Sequence, residues 1–206
     1  MLVDDHAVVR AGYQMLIKSS DKIEVIAEAS SGEEACQIYN TYKPDVVVMD
    51  LSLPGIGGME AIRRILAKDD KAKILVFSMH EDEIFVEQSF QAGATGYLTK
   101  NSAPNLLLDA VQKVVKGERY IDPCLSNEID YEKSRAKDNV LSHLSPREFE
   151  IFCMLAQGLN TSEIAKRLSL SYKTVANYST QIKSKLDVTT IADIARLAIR
   201  YNIVQA

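Results

Sequence analysis

The sequence predicts an α/β domain, a parallel sheet covered by helices on both faces, followed by a smaller all-α domain. Three observations carry this reading. Over residues 1–118, short apolar bursts alternate strictly with amphipathic stretches, which is the pattern of βαβ units. Residues 127–138 are charged and nearly free of large apolar side chains, as a solvated connection is. From residue 141 onward the periodicity is helical, with no further strand burst. The expected limits are 1–118 for the first domain, 119–140 for the linker and 141–206 for the second domain.

The strand candidates come in order. Leu2-Val3 is followed by Ile23–Ala27, Val46–Met49, Lys73–Phe77 and Thr95–Leu98. All are short and several are rich in β-branched residues, as buried strands are. The first is odd. Only Leu2 and Val3 precede an acidic pair, whereas a strand usually runs ~5 residues. A late-placed start or a few lost residues would explain it, and so short a central strand is expected to weaken the domain. Helices are expected at about 7–19, 32–42, 58–68, 82–91 and 103–116. In the last, Leu107, Ala110, Val111 and Val114 give the i, i+3, i+4, i+7 stripe, with Asp109, Gln112 and Lys116 off it. Gly32, Gly58, Gly93 and Gly117 fall where these elements meet.

Composition excludes several classes. With 206 residues, 47% hydrophobic and 25% charged, the chain has the size of two ordinary domains and is neither disordered throughout nor fibrous. Its longest apolar run, Ile151–Ala156, has six residues, against about 20 for a membrane span. The opening Met-Leu-Val-Asp-Asp-His lacks the basic and apolar regions of a secretory signal. Cys36, Cys124 and Cys153 lack metal-ligand spacing. A cytoplasmic protein with incidental thiols is expected. Charge divides along the chain: residues 1–125 carry 13 Lys/Arg against 19 Asp/Glu, and residues 141–206 carry 8 against 5. Any anionic partner is therefore expected at the C-terminal end.

In an open parallel sheet, functional groups gather beyond the carboxyl ends of the strands. That rule brings Asp4 and Asp5 from the first strand, Asp50 from the third, Ser78 from the fourth and Lys100 from the fifth to one rim. Asp45 flanks the third strand at its amino end, on the opposite rim. Three crowded carboxylates repel unless a hard cation joins them, and magnesium suits a site completed by waters and a phosphate. Asp50 is then placed to attack a phosphoryl group. Lys100 offsets charge on the transferring oxygens and Ser78 donates to the product.

These residues carry a family resemblance. Leu2-Val-Asp-Asp-His6, Met49-Asp-Leu-Ser-Leu-Pro-Gly-Ile-Gly-Gly58, Val76-Phe-Ser78 and Tyr97-Leu-Thr-Lys100 are similar to the four signatures of bacterial response-regulator receiver domains. The resemblance implies a flavodoxin-like, five-stranded domain phosphorylated on Asp50 by a sensor histidine kinase or phosphotransfer protein. It implies Mg2+ held by Asp5, Asp50 and the Ser52 backbone carbonyl, with Asp4 in the same acidic pocket. It also makes Ser78 the reader of the phosphoryl group and Tyr97 the aromatic that changes rotamer with it. Leu53 stands where Met is common. His6 fits a helix-start position, and His80 and His143 receive no role.

In the second domain, Ser145-Pro-Arg-Glu148 reads as a capping box with Pro at the first helical position. Phe149, Phe152, Cys153 and Ala156 form the expected apolar stripe up to Gly158. A helix over 161–168 packs through Ile164, Ala165 and Leu168, and a turn at 169–171 leads to a third helix through about Leu186. Val175, Ser179, Ile182 and Leu186 face inward there. Lys173, Asn177, Thr180, Gln181 and Ser184 lie opposite, flanked by Thr174 and Tyr178. Lys, Asn and Gln read base edges in a major groove, and two short helices so arranged make a helix-turn-helix, although the same pattern by itself also suits an ordinary solvated helix face. The expected contacts with double-stranded DNA are Lys173, Thr174, Asn177, Tyr178, Gln181, Lys183 and Lys185. A fourth helix is expected to turn Ile191, Ile194, Ala195 and Ala198 inward.

Leu144-Ser-Pro-Arg-Glu148, Gly158-Leu-Asn-Thr-Ser-Glu-Ile-Ala165 and Leu170-Ser-Tyr-Lys-Thr-Val175 are similar to the LuxR-type helix-turn-helix. With the receiver, they resemble a full-length regulator of the NarL/FixJ class, most like the GacA-type global activators. The class implies a transcription factor whose phosphorelay input controls promoter binding, and a homodimer, phosphorylation-dependent, formed through the fourth helix. Tyr178 and Ser179 stand where the class often carries a His and a basic residue, so base preference does not carry over. A phosphatase using the same carboxylates needs an acid/base Asp just after Asp50, where Leu51 and Ser52 stand, so no enzyme is expected. The competing reading is an adaptor whose helical tail binds protein or RNA.

Overall fold

The computed structural model describes every residue except 19, 127–139, 202, 205 and 206. The charged run at 127–138, read as linker, lies outside the described residues. The chain divides into two compact units, Met1–Asp130 and Tyr131–Ala206.

The first unit alternates strands and helices: β1 Leu2–Val3, α1 Ala7–Lys18, β2 Glu28–Ala29, α2 Gly32–Tyr42, β3 Val47–Met49, α3 Gly57–Leu66, β4 Ile74–Ser78, α4 Glu83–Gln91, β5 Gly96–Thr99, α5 Pro104–Val114, β6 Tyr120–Ile121 and α6 Pro123–Ser126. All strand pairings are parallel, in the order β2-β1-β3-β4-β5-β6. Reversal of direction at β1 and β3 makes the sheet doubly wound, with its switch point between Asp4 and Asp50.

Two expectations for the sheet need correction. The sheet has six strands, not five. The extra strand falls in the stretch assigned to the linker, because Tyr120 pairs with Gly96 and Ile121 with Tyr97. The second strand is Glu28–Ala29, not Ile23–Ala27. Among the described residues its only partner is β1, whose two residues offer two register positions, Leu2↔Glu28 and Val3↔Ala29. Strand pairing, rather than apolarity, sets the boundary.

Strand residues bury both ways, as a sheet covered on both faces requires. On one side Ile17 of α1 and the predicted stripe Leu107, Ala110, Val111 and Val114 of α5 join Leu75, Phe77 and Leu98 in a single core. The alternating residues Val47, Met49, Ile74 and Val76 are buried, as are Tyr39 of α2 and Ile62 and Ile65 of α3.

The second unit opens with a 3-10 turn, Val140–His143, then α7 Pro146–Ala156, α8 Thr161–Arg167, α9 Tyr172–Lys185 and α10 Ile191–Arg200. Each helix starts at a side-chain cap: Ser145, Asn160, Ser171 and Thr190 accept from backbone N–H groups of the first turn. These caps satisfy donors that have no partner within the helix. Helix α7 contacts the other three, and this central position changes its buried face. Phe149, Ile151, Phe152 and Leu155 are buried, while the expected Cys153 and Ala156 are only partly so. On α10, Ile194 and Ala198 are buried but Ile191, at the first position, is 42% exposed, as is Ile199 at 43%.

Candidate functional site

The four central strands end on one rim, and backbone pairing fixes their ends. The Asp50 N–H donates to the Val3 carbonyl at 3.0 Å and the Lys100 N–H to the Ser78 carbonyl at 2.8 Å. Asp4, Asp50 and Ser78 are buried, whereas Asp5 is exposed. The Lys100 ammonium bridges the cluster, 2.6 Å from Asp4 Oδ2 and 2.7 Å from Asp50 Oδ2. Burial pulls the Lys100 pKa down, yet hydrogen bonds to Asp4 and Asp50 outweigh it and hold the amine above its ordinary value. It is therefore a full cation at neutral pH.

The surrounding backbone holds the carboxylates in place. Asp4 Oδ1 accepts from the His6 N–H at 2.7 Å, just before α1. The Asp4 carbonyl accepts from Arg10 at 2.6 Å. Asp50 Oδ1 accepts from the exposed Ser52 N–H at 3.2 Å. Gly58 permits the close return of α3: its N–H donates to the Leu51 carbonyl at 3.1 Å, and a Cβ there would lie 2.0 Å from the Asp50 carbonyl oxygen.

Tyr97 lies inside rather than on the rim. It is fully buried, and its hydroxyl donates to the His80 carbonyl at 2.8 Å. Burial raises the phenol's pKa, against a smaller downward pull from the Ser78 hydroxyl. The His80 N–H donates to Ser78 Oγ at 3.3 Å, so Ser78, His80 and Tyr97 form one connected group. The His80 ring stacks on Phe85 with centroids 3.8 Å apart and planes 5° from parallel. Burial lowers its pKa despite the opposing pull of Asp50 and Asp82.

Ligand atoms of Asp4, Asp5, His6 and Asp50 lie within 4.8 Å of one another. Three carboxylates against one ammonium leave a negative site, open to solvent at Asp5, whose side chain is 31% exposed. Such a site fits a hydrated hard cation. His6 Nδ1 is 2.9 Å from Asp5 Oδ1, a proximity that its helix-start position did not signal.

Residues 1–112 match the response regulator receiver domain, and residues 142–198 match the bacterial regulatory proteins of the luxR family. This chain is a response regulator of the NarL/FixJ class. Response regulator UvrY of Escherichia coli (strain K12) is 37% identical over 211 residues, covering 100% of this chain and 95% of that protein. Response regulator GacA of Pseudomonas aeruginosa is 35% identical over 208 residues, covering 100% and 97%. Among solved structures, RcsB of Salmonella enterica serovar Typhimurium, bound to promoter P1flhDC in the presence of phosphomimetic BeF3-, has TM-score 0.71 at 25% identity over 95% of both chains. A LuxR-family response regulator from Aurantimonas sp. SI85-9A1 has TM-score 0.63 at 46% identity over 65% of this chain and 96% of that one.

In this response regulator the LuxR-type unit presents the polar face of α9 outward. Lys173, Asn177, Thr180, Gln181 and Ser184 are exposed, Thr174, Tyr178 and Lys183 half-buried, and Val175, Ile182 and Leu186 buried. Lys185 is committed differently from its neighbours. Its ammonium is 2.6 Å from Glu148 Oε2 of α7, so it ties α9 to the domain as well as facing solvent. Burial pushes the Glu148 pKa up, but the Lys185 ammonium and the Ser145 N–H, Glu148's hydrogen-bond donors, bring it below its ordinary value. Sequence reasoning missed this pair, since residues 37 apart carry no local signal.

Proposed function

We propose that Asp50 accepts a phosphoryl group from a sensor histidine kinase or phosphotransfer protein, and that this modification controls binding of α9 to promoter DNA. The observation that carries the reading is the Lys100 ammonium bridging Asp4 and Asp50 at the mouth of the sheet. An Asp50 carboxylate oxygen forms the new bond to phosphorus, and the bond to the donor's imidazole nitrogen breaks, its electron pair leaving with the imidazole. Lys100 is placed to move from carboxylate to phosphoryl oxygen as charge migrates outward, and the Ser78 hydroxyl to donate to a second oxygen. Mg2+, when bound through Asp5, Asp50 and the Ser52 carbonyl with Asp4 alongside, supplies positive charge to the transferring oxygens. Tyr97, tied to the loop after β4 through His80, is the side chain that responds to Ser78.

On the reading side, Lys173, Thr174, Asn177, Tyr178 and Gln181 contact base edges and nearby phosphates, with Lys183 and Lys185 on the backbone. A phosphorylation-dependent homodimer pairs two such units on two half-sites. The protein acts in the cytoplasm, and no helix among the described residues is long and apolar enough to cross a membrane. Acetyl phosphate with magnesium tests the proposal: wild type is labelled and gains affinity for its operator, and Asp50→Asn does neither. Equal labelling of the two proteins would end it.

A further inference from the structure

Asp122 is a fully buried carboxylate with no part in the reaction described above. It lies beyond residue 112, where the match to the receiver family ends. Its backbone N–H donates to the Tyr97 carbonyl at 2.9 Å, extending the β5–β6 pairing by one position. Its side chain turns into the loop after β5. Oδ2 accepts from the Thr99 N–H and the Thr99 hydroxyl, each at 2.9 Å, and from the Ser102 hydroxyl. Oδ1 accepts from the Cys124 N–H at 2.9 Å. Burial alone raises a carboxyl pKa, but these four donors hold this one below its ordinary value. Burying a charge is costly unless hydrogen bonds satisfy it, and here every donor belongs to one of two segments. One is Thr99–Ser102, which brackets Lys100. The other is the start of α6.

We propose that Asp122 is a positioning residue for Lys100. The carboxylate holds the Thr99 N–H on one side of Lys100 and the Ser102 hydroxyl on the other, while the Lys100 N–H donates to the Ser78 carbonyl at 2.8 Å. With its peptide so held, the lysine side chain extends from a fixed origin to Asp4 and Asp50 at 2.6 and 2.7 Å. A reactive geometry depends on such support, since a displacement of about 1 Å in a positioned group costs up to ~100-fold in rate. The inference rests on reading Asp50 as the phosphoacceptor.

The test uses the full chain with acetyl phosphate and magnesium, comparing wild type, Asp122→Asn, Ser102→Ala, Lys100→Gln, the Asp122→Asn/Lys100→Gln double variant and Asp50→Asn. Asp122→Asn is expected to label about tenfold more slowly at saturating acetyl phosphate. Magnesium affinity, measured by calorimetry on the unlabelled protein, is expected to stay within about twofold, because Asp5 and Asp50 lie on other strands. In the Lys100→Gln background the second change is expected to add no further slowing. Ser102→Ala, which removes one donor and keeps the carboxylate, is expected to fall between wild type and Asp122→Asn. Labelling of Asp122→Asn at the wild-type rate overturns the inference. Slowing that is undiminished in the Lys100→Gln background does so too, as does slowing matched by lost magnesium affinity and a lower Tm. Equal labelling of wild type and Asp50→Asn would instead defeat the reading of Asp50 as acceptor, separately from the Asp122 contacts.

Discussion

A methyl group at position 58 would sit 2.0 Å from the Asp50 carbonyl and 2.7 Å from the Leu51 Cα. Both neighbours are backbone, so no rotamer change relieves the contact. Gly58→Ala is expected to cost about 1–3 kcal/mol in urea unfolding and to slow Asp50 labelling by displacing its loop. Glu148 offers a second residue-scale test. Its pKa is depressed, so the stability it contributes is fully present above the ordinary Glu value of 4.5 and is lost as pH falls through the lower folded-state value. Glu148→Gln is expected to remove that acid-side loss. It also costs about 1–3 kcal/mol near neutral pH, because Lys185 and the Ser145 N–H lose an ionised partner. Urea titrations on either side of pH ~4.5 measure both effects. At this scale the acidic rim was readable because each of its residues directly follows, or closes, a short apolar burst. Asp122 was not, because its partners Thr99 and Ser102 are joined to it only through the pairing of β5 with β6.

Elements were legible where their own pattern decided them and obscure where a neighbour did. The α5 stripe and the Ser145 capping box follow local rules, and the inner face of α9 buries Val175, Ile182 and Leu186 as its spacing requires. Strand β2 could not be placed from apolarity, since β1 allows it two paired residues. Strand β6 is two residues long and hides in a polar stretch; its evidence is the register against Gly96 and Tyr97. The outer face of α9 makes an element-scale prediction. Asn177→Ala is expected to cost about 1–3 kcal/mol on the specific operator and to relax preference at one base position. Lys173→Ala is expected to weaken specific and random duplexes alike and to lower the salt slope by about one if its contact is to phosphate. Fluorescence anisotropy over a salt series separates the two outcomes.

The whole molecule joins an acidic unit to a basic one, and the switch requires that chemistry at one rim of the first alter what the second grips. In the proposed mechanism a two-state receiver would supply this when phosphorylation stabilises one arrangement over the other, and a dimer would multiply weak binding by each reader. The proposed switch turns on a single covalent event at a single carboxylate. Borohydride reduction after treatment with acetyl phosphate and magnesium records it directly, since an aspartyl phosphate is reduced to homoserine. Peptide mass spectrometry is predicted to find homoserine at position 50, absent without magnesium and absent in Asp50→Asn. Homoserine at position 4 or 5 in place of 50, or none at any acidic residue, would contradict the account.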